Sequence, residues 1–141
     1  MIQTLNDSKR EVRIWLVVLN VASALISAVF GLLALVDPSA NPGVSGALSQ
    51  AATSYAALYG VRAVAIAAAV CWLALADRHT GPRRLIPVLA LAGVAQVGDA
   101  VIGAVVHVPA MGIGAAVAAV IHLGSAALLH RTTMLREEHA G

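Results

Sequence analysis

Three ionisable side chains interrupt the long apolar runs of this sequence: Arg62, Asp99 and His122. Each lies well inside a stretch long enough to cross a bilayer. A charge at membrane depth costs roughly 2.5–3.5 kcal/mol on insertion scales, so a chain that keeps one gives it a partner or a task. Together the three supply an acid, a base and a cation for developing negative charge, the parts that acid/base catalysis needs. Asp99 and His122 are the expected proton-transfer groups, and Arg62 the electrostatic stabiliser. Arg62 and Asp99 have opposite sign and are expected to meet, directly or through one water. Such a pair either locks two helices together or holds a ligand-facing carboxylate ionised, and the two roles are compatible.

Other polar residues are spaced to join them. Gln96 is one helical turn before Asp99 and is expected to brace it by hydrogen bonding. Tyr59 is one turn before Arg62 and suits a pocket wall, while Tyr55 suits either the wall or an interfacial aromatic belt. Asn20 and Ser125 complete the expected ligand-binding set at depth, with His107 and Asp37 at the mouth. His122 has a second reading, as a neutral histidine bonded to Ser125, a tyrosine or a backbone carbonyl. No helix carries a His-x₃-His or Glu-x-x-His spacing, so no metal site is expected. The single cysteine, Cys71, excludes an internal disulfide and a cysteine-based metal cluster. There is no Ser/His/Asp nucleophile pattern and no cofactor motif, so no cofactor is expected.

These residues need helices to position them, and the composition says of what kind. Of 141 residues, 60% are hydrophobic and only 11% charged, against about 25% charged in ordinary soluble domains. Mean hydropathy is +0.86. This is the composition of an integral membrane protein. A formal charge of +2 is too small to suggest nucleic acid as a partner. Four apolar runs predict helices at about 14–36, 51–76, 85–107 and 111–130, in one transmembrane domain spanning residues 1–141. The first run is too long for a signal-peptide core. Asp37-Pro-Ser-Ala-Asn-Pro-Gly43, Asp77-Arg-His-Thr-Gly-Pro-Arg-Arg84 and Val108-Pro-Ala-Met-Gly112 separate the runs.

Charge orients the bundle. Lys9, Arg10 and Arg13 precede the first run, Arg78, Arg83 and Arg84 join the second to the third, and Arg131 and Arg136 follow the fourth. The first and third loops have no Lys or Arg. The positive-inside rule then predicts a multi-pass protein of the cell inner (plasma) membrane with both termini cytoplasmic. At 100° per residue each run has one polar face: Arg13, Asn20, Ser23, Ser27 and Gly31; Tyr55, Tyr59 and Arg62; Gln96, Asp99, Gly103 and His107; Met111, Ala115, Ala118, His122 and Ser125. Lipid cannot satisfy such faces, so they are expected to turn inward on one another as an all-α four-helix bundle. At about 1.5 Å per residue, Asp99 falls about 9 Å below the outer edge and Arg62 and His122 some 12–16 Å below it.

Tyr59-Gly-Val-Arg62, the Gly98-Asp99 pair and the late His122 resemble small four-helix bacterial membrane proteins near the DoxX-like group. The resemblance implies a four-helix bundle and no settled activity. Small multidrug transporters also have four short helices, but their essential first-helix glutamate has no counterpart before Asp37. Three functions are consistent with the residues. One is a pocket for a small lipophilic molecule, with acid/base isomerisation, cyclisation or epoxide opening. The second is proton-coupled transport of a small molecule. The third is a structural or partner-binding role without catalysis. The expected partners are the bilayer and a lipophilic ligand, with homo-oligomers left open.

Overall fold

Apolar residues run without a proline beyond any first helical turn, and the chain forms four long helices. A computed structural model describes residues 2–41, 44, 46–80 and 83–138, with side chains described for 11–12, 14–41, 44, 46–76 and 83–134. Helix α1 is Ile2–Val36, α2 Gln50–Thr80, α3 Leu85–Val105 and α4 Pro109–Glu138, with a short 3₁₀ turn at Pro38–Ala40. All four contain stretches long and apolar enough to cross a membrane. Their outward residues, among them Leu25, Val29, Leu58, Val61, Val101 and Val120, are exposed apolar side chains. Faces of this kind need lipid as their solvent.

The helix ends differ from the hydropathy pattern, for local reasons. Helix α1 begins at Ile2 and α2 continues to Thr80, so polar segments expected outside the spans extend the same helices. The side chains of Lys9, Arg10, Arg13, Arg78, His79 and Arg136, and residue His139, lie outside the described set. Helix α1 stops where Asp37 Oδ1 accepts from Ser39 N at 3.1 Å and Pro38 removes a donor. Helix α3 stops at Val105, two residues short of the expected end. His107 N donates to Ala104 O and Val108 N to Gly103 O, a Schellman pair that closes the helix. His107 takes the left-handed position of that motif, with φ 57°. Pro109 then opens α4, where its missing N–H is harmless.

Helix α1 packs mainly on α2, and α3 mainly on α4, as two antiparallel hairpins. Glycine sets the closeness of each. A Cβ on Gly60 would stand 2.5 Å from Gly31 O, and one on Gly103 would stand 2.5 Å from Gly112 N. The hairpins meet more thinly, along an α2–α3 seam and an α1–α4 seam. Towards the end that bears the chain termini the centre includes an apolar cluster built on Val70, Leu85, Leu89 and Leu129. Polar side chains lie beside it and beyond it, away from the termini.

Candidate functional site

The polar centre has two parts, one on each seam. On the α2–α3 seam an Arg62 guanidinium nitrogen donates to Asp99 Oδ1 in a direct ion pair. The Asp99 side chain is 7% exposed and that of Arg62 is 44% exposed. Tyr59, one turn earlier on α2, lies with its ring centroid 5.4 Å from the guanidinium carbon, a cation–π contact. The expected meeting of Arg62 and Asp99 is therefore direct, and it ties the second helix to the third.

On the α1–α4 seam four buried side chains form a chain of hydrogen bonds. Asn20 Nδ2 donates to Leu16 O at 2.7 Å and to Ser125 Oγ at 2.6 Å. Asn20 Oδ1 is then an acceptor, so the His122 Nδ1 that lies 2.7 Å from it carries the proton. In a neutral ring this leaves Nε2 as the acceptor, and Ser23 Oγ stands 3.4 Å from it. Asn20, His122 and Ser125 are at most 3% exposed and Ser23 is 8% exposed. No buried side-chain nitrogen or oxygen among the described residues lacks a partner.

Between the two parts lies a cavity of about 20 Å³, lined among others by Ser27, Arg62, Gln96, Asp99 and His122. A space of that size, with polar groups set in a wall that is otherwise mostly alanine, has room for about one water molecule. Three of the four helices bring an ionisable side chain to it: α2 with Arg62, α3 with Asp99, and α4 with His122. Helix α1 supplies Ser27, whose hydroxyl accepts from Gln96 Nε2 at 3.0 Å.

Several expected partnerships are different. Gln96 braces α1 through Ser27 and does not bond Asp99. His122 bonds Asn20 and Ser23, while Ser125 bonds Asn20. Tyr55 is exposed on the outer face of α2, away from the cavity lining. His107 is exposed in the α3–α4 turn, its Nδ1 3.1 Å from Ala104 O, and does not line the cavity either. Asp37 is an exposed cap on the 3₁₀ turn. Ser23 and Ser27 were visible on the polar face of the first run, but nothing in their spacing named their partners. The alanines that complete the cavity wall, such as Ala63 and Ala95, carry no sequence signal. No group of three or more His, Cys, Asp or Glu able to hold a metal occurs among the described residues.

No protein family, curated protein or solved structure matches the chain. Fold and site together define a multi-pass four-helix bundle with a polar centre.

Proposed function

We propose that the polar centre binds the polar end of a small lipophilic molecule and acts on it by acid/base chemistry: isomerisation, cyclisation or epoxide opening. The observation that carries this reading is that Arg62, Asp99 and His122, from three helices, line one cavity. His122 Nε2 is the base, because Asn20 holds the ring with its other nitrogen protonated. The imidazolium formed when Nε2 takes a proton returns that proton to the product, and the Asp99 carboxylate, ion-paired with Arg62, orients the substrate as a hydrogen-bond acceptor. Arg62 stabilises negative charge as it develops on a substrate oxygen. Gln96 ties the cavity wall to α1 through Ser27, and Tyr59, which does not line the cavity, packs on the Arg62 guanidinium. The chain would sit in the cell inner membrane with both termini cytoplasmic, as the basic residues favour. Kinship with the DoxX-like group, resting on Tyr59-Gly-Val-Arg62, Gly98-Asp99 and His122, is part of the same proposal.

The test is to purify the protein from its native membranes and identify co-purifying lipophiles by mass spectrometry. A specific molecule is expected with the native chain, and much less of it with folded Asp99→Asn or His122→Ala variants. Equal retention by all three, or none by the native chain, would remove the ligand site. Orientation is tested by single cysteines at Ser39 and Thr132 in a Cys71→Ala background. Labelling of Thr132→Cys from outside intact cells would invert the topology.

One observation favours a second reading, proton-coupled transport. The bonds from His122 through Asn20 to Ser125 and Leu16 O run from the cavity toward the end that bears the termini. A coupled proton would travel on water beside these groups, since the Asn20 amide does not itself relay protons. Ligand flux in proteoliposomes driven by a pH gradient would identify transport, and conversion of the ligand without flux would identify catalysis.

A further inference from the structure

The size and charge of the cavity restrict what can enter it. At about 20 Å³ it admits a group the size of one water. A lipophilic molecule seated there can insert only a single oxygen-sized head, and its tail has to lie elsewhere. The charge balance restricts the head further. Arg62 and Asp99 are in contact, so the pair is neutral as a unit. An anionic head would meet the Asp99 carboxylate, and a cationic head would meet the guanidinium. An uncharged head meets neither repulsion.

The pair also offers both halves of a hydrogen-bonding site. A guanidinium has five N–H donors and a carboxylate about four acceptor sites. Among the described residues, Arg62 and Asp99 use one hydrogen bond between them. A head that both donates and accepts can satisfy the two at once. The seam supplies a place for the tail. Arg62 reaches from α2 to α3 with 44% of its side chain exposed, beside apolar outward faces. Asp99 is six residues from the end of α3 at Val105, hence about 9 Å inside that end. A bilayer lipid tail passes that depth, whereas a phospholipid phosphate stays at the interface.

We infer that the site takes a long-chain alcohol, its hydroxyl beside the Arg62–Asp99 pair, bridging an N–H and a carboxylate oxygen outside their mutual contact, and its hydrocarbon tail along the α2–α3 seam. This rests on the ligand-site reading above and adds the chemical class of the head and the direction of entry; it favours isomerisation or cyclisation of an alcohol over the opening of an epoxide, whose oxygen only accepts. In the bound state the hydroxyl donates to Asp99 and accepts from Arg62.

The experiment uses the full chain in phosphatidylcholine nanodiscs. Four photoreactive decyl probes, each with a diazirine near the head, are compared: the alcohol, its methyl ether, the carboxylate and the amine. Saturable labelling of segments 61–67 and 92–99 by the alcohol is expected. It should exceed labelling by each of the other three by about tenfold, the worth of one well-made hydrogen bond. Ala95→Leu, which fills the cavity wall, should lower alcohol labelling by about as much. If the ether, acid or amine labels as strongly as the alcohol, or Ala95→Leu changes nothing, the alcohol assignment is overturned while a ligand site stands. If none of the four labels saturably, the ligand site itself is overturned with it.

Discussion

The two hairpins are joined along two seams, and the seams use opposite means. On the α1–α4 side Asn20, Ser23, His122 and Ser125 are sealed from the surroundings, and their hydrogen bonds form one continuous chain. On the α2–α3 side the Arg62–Asp99 ion pair crosses the gap, with its cation nearly half exposed. The first arrangement fixes a geometry: each polar atom has a partner, and moving one strands another. The second leaves bonding capacity unused at an opening. On the proposed function, the closed seam holds the base still and the open one admits the ligand.

Substitutions that break one seam at a time test the contrast, and the largest effect belongs to the closed seam. His122→Ala removes a buried ring and strands Asn20 Oδ1, so it should destabilise the protein by about 3 kcal/mol. Reversible unfolding in bicelles would measure this, and a loss well under 1 kcal/mol would contradict a closed seam. Asp99→Asn should follow, at about 2 kcal/mol, because Arg62 loses its counter-charge but is exposed enough to turn toward the interface. Adding Arg62→Gln should recover part of that loss, and additive losses in the cycle would contradict the pairing. The smallest effect is expected at Gln96→Leu, about 1 kcal/mol, since one hydrogen bond to the half-buried Ser27 is lost. Ser27→Ala should then add little to Gln96→Leu, and the same unfolding assay reads it.

The fold was legible because lipid leaves few alternatives. Runs of apolar residues bounded by Asp37-Pro38 and by Val108-Pro109 lead to four helices; the polar residues Asn20, Ser23, Asp99, His122 and Ser125 turn inward as expected, whereas on α2 Tyr55 faces outward and Arg62 is partly exposed. The ion pair was legible for a related reason: Arg62 and Asp99 are the two full charges within the apolar runs. The partnerships of the neutral groups were not. Gln96 reaches Ser27 across the bundle and His122 reaches Asn20, and both depend on how each helix is rotated about its axis. Periodicity gives the face of one helix and not the facing residue of another. His107 shows the limit of extrapolating a face: the helix ends before it, and the turn carries it outward. Cavity size was equally hidden, because small side chains such as Ala63 and Ala95 bound it and alanine is everywhere in this chain.

The central claim is that one seam is closed and positions the base, while the other is open and receives the ligand. Solid-state NMR in lipid bilayers measures both in one sample, using labelled Arg62 guanidinium nitrogen, Asp99 carboxyl carbon, and the Asn20 and His122 side chains. Both pairs are expected to be in contact without ligand. Saturating decanol should shift the Arg62 and Asp99 signals and bring its head carbon within about 4 Å of both, while the Asn20–His122 distance stays unchanged. Shifts of equal size at the two seams, or none at Arg62 and Asp99, would contradict the account.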